Sequence, residues 1–150
     1  MQTSSTPVRA LHADDRSRWN VLWEGYLKFY QHQLPAEITE LTWQRLIDPG
    51  FPLHGLVALD AGHVIGFVHY HFHISTWSAG GYCYLEDLFV DPGGRGKGAG
   101  RALIEAVYAD ADARGADRVY WATQSSNTTA RKLYDQLARL TPFVQYARDR

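Results

Sequence analysis

The chain has 150 residues, a length that suits one domain with a sizeable core. Its 15 Lys+Arg against 16 Asp+Glu leave a formal charge of −1, which excludes a general electrostatic attraction to nucleic acid or anionic membrane. An apolar share of 45% excludes wholesale disorder, and the lone cysteine, Cys83, excludes an internal disulfide and a multi-cysteine metal site.

Residues 1–7 are polar, carry Pro7 and read as a loose leader without the charged and apolar regions of a signal peptide. No apolar run approaches the ~18–20 residues of a membrane span, so the expected setting is reducing and cytoplasmic. Residues 8–11 suit a short first strand. Asp14 or Asp15 then offers a carboxylate to cap a helix whose apolar face is Trp19, Leu22, Trp23, Tyr26, Leu27 and Tyr30. Pro35 suits the opening turn of a second helix, with Ile38, Leu41 and Leu46 on its buried side, and Asp48-Pro49-Gly50 ends it.

The period then changes. Residues 54–59 and 64–74 read as strands joined by a turn at 60–63, residues 75–81 as a small-residue loop, and residues 82–90 as a third strand of an antiparallel meander. A glycine-rich turn precedes a helix carrying Leu103, Ile104, Val107, Tyr108 and Ala111, which Gly115 stops as a C′ glycine. Residues 118–123 suit a strand, Asn127 caps a last helix with Ala130, Leu133, Tyr134 and Leu137, and residues 143–148 suit a final strand after Thr141-Pro142. The strand–helix–strand stretch implies one parallel pair in a mostly antiparallel sheet, hence a mixed α/β single domain over 8–150.

A strand, a glycine-rich turn and a helix N-terminus together hold phosphate, because the first amides of a helix lack partners and carry partial positive charge. Arg95, Lys97 and Arg101 add formal charge there. A Walker-type loop fails, since Gly98 follows Gly96-Lys97 where magnesium needs a hydroxyl. A dinucleotide fingerprint is formally present at Gly94-x-Gly96-x-x-Ala99, but the acidic ribose ligand is missing from the end of the next strand.

The stretch Arg95-Gly96-Lys97-Gly98-Ala99-Gly100 after a strand resembles the acetyl-CoA signature, Gln/Arg-x-x-Gly-x-Gly/Ala, of the GNAT (GCN5-related N-acetyltransferase) superfamily. Asn127-Thr128-Thr129-Ala130-Arg131-Lys132-Leu133-Tyr134 matches the family's second signature at the usual separation, so the resemblance covers most of residues 8–148. Leu22-Trp23-Glu24-Gly25-Tyr26 and Tyr84-Leu85-Glu86-Asp87 look closest to the branch that acetylates histones and polyamines. One departure is Thr141-Pro142-Phe143, where the family often has Gly-Phe, which implies a reshaped last turn.

The resemblance implies direct attack of an amine on the thioester within a ternary complex, with no metal. Leu88, Phe89 and Val90 then offer main-chain contacts to the pantetheine arm, amides from Arg95 to Gly100 bind pyrophosphate with Arg101 beside them, and Asn127 meets the pantetheine from the other side. Tyr134 faces the sulfur as general acid, and Glu86 is the candidate base for an amine that ordinarily titrates near ~10.4. Strand alternation sets Asp87 on the opposite face in a structural role. Trp23, Glu24 and Tyr26 are expected to wall the site of a cationic amine: a polyamine, a small amine or a protein lysine. His69, His71 and His73 share a strand face and read as a solvated or substrate-facing row rather than a metal site, with Val68, Tyr70, Phe72 and Ile74 as core opposite. Cys83 reads as a buried, inert thiol. The last strand would leave an open edge in a monomer, and relatives of that branch pair or exchange it, so the resemblance implies a homodimer. The alternative reading is a non-catalytic acyl-CoA-binding domain.

Overall fold

The computed structural model describes residues 6–150. One sheet runs β1 (Val8–Ala10), β2 (His54–Asp60), β3 (His63–Ser75), β4 (Ser78–Val90), β5 (Arg118–Tyr120) in that order. Its first three pairings are antiparallel and the fourth, β4 with β5, is parallel, as the helical crossover between them requires. Helices α1 (Arg16–Phe29) and α2 (Ala36–Ile47) cover one face, and α3 (Ala99–Ala113) and α4 (Thr128–Leu137) pack on the other.

Alternation along the strands divides the core in two. Val57 and Phe67 join Trp19, Leu22, Trp23 and Trp43 beneath α1 and α2, while their neighbours Ala58 and Val68 join Leu103, Ile104 and Val107 beneath α3. Gly115 (φ +76°) closes α3 as expected: its amide bonds Asp112 and the Ala116 amide bonds Ala111, the two reverse links of a Schellman ending.

Several expectations are corrected. On α2, Ile38 and Leu41 are exposed, and Trp43 takes the buried side with Leu46 because its ring packs 5.1 Å from that of Trp19. Asp15 stands at the start of α1, but its carboxylate turns back to the His12 amide and the Arg9 guanidinium instead of capping the helix. Asn127 likewise precedes α4 without capping it, its Nδ2 donating to Thr123 Oγ1 at 3.2 Å. The expected loop over residues 75–81 is mostly strand, since β4 starts at Ser78. Its small residues answer a close backbone approach: a Cβ on Gly80 would lie 1.9 Å from the Gly115 carbonyl oxygen. Ile74 sits at the hairpin tip, 92% exposed, and is not core. β5 stops at Tyr120, and residues 143–148 form no strand. Of the expected leader, residues 1–5 lie outside the described residues; Thr6 bonds the Lys97 carbonyl and the Pro7 carbonyl accepts from Leu59, so these two are tied down.

Candidate active site

Strands β4 and β5 pair only at Tyr82 with Arg118, Cys83 with Val119 and Tyr84 with Tyr120. β4 then runs on to Val90 without a strand beside it on that edge among the described residues, so backbone groups around Leu88, Phe89 and Val90 are available to a ligand lying along the gap. The glycine turn stands at the end of this gap. Gly96 (φ +83°) and Gly98 (φ +79°) adopt left-handed conformations that a side chain would strain, with open space where their Cβ atoms would be.

The first helical bond of α3 runs from the Ala102 amide to the Gly98 carbonyl. The amides of Ala99, Gly100 and Arg101 are therefore free of intrahelical partners, at the positive end of a helix of 15 residues. The basic side chains brace the turn. Lys97 pairs with Asp60 at 2.6 Å, Arg95 bonds the Val90 carbonyl at 3.2 Å and lies over the Phe89 ring, and Arg101 bonds Gln136. Backbone amides, with these cations behind them, make a donor set that fits a diphosphate.

A cavity of about 610 Å³ opens between α1, α2 and the middle of β3 and β4. A β-bulge shapes its floor: His69 faces Asp87 and Tyr70 faces Leu85, so Glu86 is the extra residue on β4. The bulge breaks alternation and brings Glu86 and Asp87 to the same cavity, correcting the opposite-face expectation for Asp87. Asp87 accepts from the Tyr26 hydroxyl at 2.7 Å and pairs with His69 Nδ1 at 2.9 Å.

His69, expected on a solvated row, is 1% exposed and accepts at Nε2 from the Trp19 indole at 3.1 Å. An indole N–H only donates, so Nε2 is the bare nitrogen and Nδ1 carries the proton toward Asp87. Burial first, then the Asp87 carboxylate, push the Tyr26 phenol up and keep it a donor. His71 meets Glu86 at 3.1 Å, whereas His73 bonds Tyr120 outside the cavity. Among the described residues no three His, Cys, Asp or Glu side chains gather as metal ligands would.

Trp23 and Tyr26 line the cavity, and the Trp23 indole bonds Thr39 to hold α1 against α2. Glu24 is exposed, one helical step away from that wall. Tyr134 lies on α4 and packs edge-on to Trp121 at 5.4 Å. It lines a second cavity, of about 910 Å³, formed with β5 and the chain after α4. Burial, helped by the nearby Tyr30 phenol, pushes the Tyr134 phenol up to about 12. Tyr30 itself lines the first cavity. Cys83 is fully buried, its thiol pushed up to about 12 by burial, which agrees with an inert side chain. Sequence reasoning missed the pairing of His69 with Asp87, for which an alternating strand carries no signal.

Comparison with known proteins identifies the family. Residues 16–138 match the acetyltransferase (GNAT) family. A D-amino-acid N-acetyltransferase of Saccharomyces cerevisiae is 40% identical over 144 residues, spanning 95% of this chain and 89% of the relative. An uncharacterized N-acetyltransferase of Bacillus subtilis is 38% identical over 141 residues, spanning 93% and 94%. The fold superposes on an aminoglycoside N-acetyltransferase solved in complex with CoA, with a TM-score of 0.81 at 21% identity, covering 99% of this chain and 97% of the other. The chain therefore belongs to the acetyltransferase (GNAT) family and is an acetyl-CoA-dependent N-acetyltransferase that acts on an amine.

Proposed function

We propose that the cavity at the β4 bulge receives a small primary amine, which attacks the thioester of acetyl-CoA directly in a ternary complex. The observation that carries this reading is the convergence on one stretch of β4. The free amides of the glycine turn stand at the end of its unpaired edge, and the carboxylates of Glu86 and Asp87 rise from its bulge. Amides of the glycine turn hold the pyrophosphate, main-chain groups of Leu88, Phe89 and Val90 hold the pantetheine arm, and Asn127 borders it from the turn before α4. A space of about 610 Å³ suits a single small molecule better than a protein tail, and the yeast relative is named for acetylating D-amino acids.

Protons move at both ends of the reaction. Glu86, half exposed on the cavity floor, takes one from the ammonium so that the amine's lone pair is free to attack the carbonyl carbon. As the C–S bond breaks, Tyr134 gives its phenolic proton to the departing thiolate, and the remaining extra proton on the new amide nitrogen is shed through solvent and restores the phenol. A phenol raised to about 12 is still protonated at neutral pH, as an acid must be at the start of the turnover.

The chain after α4 leaves Phe143, Val144 and Tyr146 71%, 79% and 92% exposed, while the outer edge of β5 has no strand beside it among the described residues. Exchange of this segment onto the β5 edge of a second copy would cover both, which supports a homodimer. Among the described residues no helix is long and apolar enough to cross a membrane, and an unpaired, buried Cys83 suits a reducing, cytoplasmic setting.

Thiol release from acetyl-CoA, measured against amino acids, polyamines, aminoglycosides and a lysine-rich peptide, tests the reading. Amine-dependent release should appear, with kcat falling ~10²–10⁴-fold in Tyr134→Phe and also in Glu86→Gln. Wild-type kcat in both variants would remove the two residues from the chemistry. Tight acetyl-CoA binding without release to any amine would favour the non-catalytic binding domain.

A further inference from the structure

The cavity that the reading above assigns to the amine is not uniformly acidic. Its sheet end carries Glu86 and Asp87, and its α2 end carries Arg45, the sole lysine or arginine among its lining residues. Arg9, Arg16, Arg18, Lys97 and Arg114 each meet a carboxylate, whereas the exposed Arg45 side chain, like those of Lys28 and Arg118, makes no salt bridge and no hydrogen bond among the described residues. Its guanidinium lies over the Phe51 ring at 4.8 Å, which steadies the group without using any of its N–H donors. The donors are left to a ligand.

We infer that the acceptor carries a carboxylate set apart from its amine by an apolar spacer, and that Arg45 binds that carboxylate while the Glu86 end receives the ammonium. This rests on the cavity being the acceptor site. The two ends of the cavity match the two charges of a zwitterion. They also select against a polyamine, whose second ammonium would meet a guanidinium at the far end with no carboxylate to offset it. Between the ends the wall is apolar, with Leu34, Ile38 and Leu53, so an apolar spacer is accommodated. Arg45 acts on specificity and takes no part in the proton transfers.

The experiment compares ω-aminohexanoate, ω-aminohexanamide, hexylamine and spermidine as acceptors for the wild-type enzyme and for Arg45→Gln, Arg45→Lys and Ile38→Trp. The acid should be preferred over its amide by ~10-fold or more in kcat/KM, and Arg45→Gln should raise KM for the acid ~10–100-fold at nearly constant kcat while sparing the amide. Arg45→Lys should recover part of the loss, because a point charge still attracts the carboxylate. Equal use of acid and amide by the wild-type enzyme, or an equal change for both in Arg45→Gln, overturns the inference. Ile38 is already 41% exposed, so Ile38→Trp fills the cavity mouth at little cost to folding. If Ile38→Trp raises KM for every amine but Arg45→Gln discriminates none, the acceptor cavity stands and the role of Arg45 falls. If acetylation proceeds and neither variant alters any KM, the cavity itself is not the acceptor site and both readings fail.

Discussion

At Asp87, β4 is held along one edge and over one face: β3 pairs with it, α1 lies over it, and a chain of hydrogen bonds runs from Trp19 through His69 and Asp87 to Tyr26. At the other side of the sheet, β5 holds β4 by three residue pairs and is followed by an apolar segment left in the open. Both regions are rich in aromatic side chains, so composition does not separate them. The difference lies in whether each ring finds its partners within the chain. The first region is complete as it stands and can fix a carboxylate before substrate arrives, while the second has its contacts still to make.

The sharpest test of that contrast pairs two aromatic truncations. Trp19 is fully buried, stacks on Trp23 at 5.5 Å and holds His69, so Trp19→Ala should cost ~3–5 kcal/mol in denaturant unfolding. Phe143→Ala, at a site 71% exposed, should change the stability of the monomer by less than ~0.5 kcal/mol. Comparable losses that grow with protein concentration would mean that Phe143 is buried against a second copy, and the contrast would then describe one subunit only.

Asp87→Asn should have the next largest effect. The carboxylate accepts from two donors at once, His69 Nδ1–H and the Tyr26 hydroxyl. An amide has one oxygen, so its NH2 must turn toward one of these donors and leave it without an acceptor. A loss of ~1–3 kcal/mol is expected, along with loss of the hydrogen-bonded His69 Nδ1 proton resonance. If that resonance persists and stability is unchanged, the network does not rigidify the bulge.

What could be read in the sequence, and what could not, follows the same division. The glycine turn was legible because left-handed backbone and bare helix amides need glycine at fixed places, here Gly96 and Gly98. The face of α1 was legible because five of its six expected residues meet one layer. The bulge at Glu86 was not, since an extra residue in one strand is defined only by its partner across the ladder. His69 was misjudged for a related reason: alternation gives a side chain its face, but not whether a helix covers that face. At residues 143–148 the β-branched and aromatic pattern is genuine strand chemistry, but within this chain no neighbour pairs with it.

A smaller loss than that of Asp87→Asn concerns the join between β1 and α1, which anchors the well-packed region. Arg9 donates to both oxygens of Asp15 at 2.8 and 3.0 Å, and the His12 amide adds a third bond at 2.7 Å. The Arg9 hydrogen bonds, with smaller help from His12, hold the Asp15 carboxyl below its ordinary range against the opposing cost of burial. A folded pKa below the unfolded one means that this stabilisation is present in full above the unfolded value of ~3.9 and fades as pH falls through the folded value. Wild type should therefore exceed Asp15→Asn by a constant ~1–2 kcal/mol from about pH 5 to 7, and the gap should narrow below about pH 4. Other carboxylates titrate in both proteins and cancel in the difference, so thermal unfolding of the pair across this range isolates Asp15. A gap that stayed constant down to about pH 2 would mean that the neutral acid serves as well as the carboxylate, and that the stabilisation comes from the shape of the turn rather than from its charge.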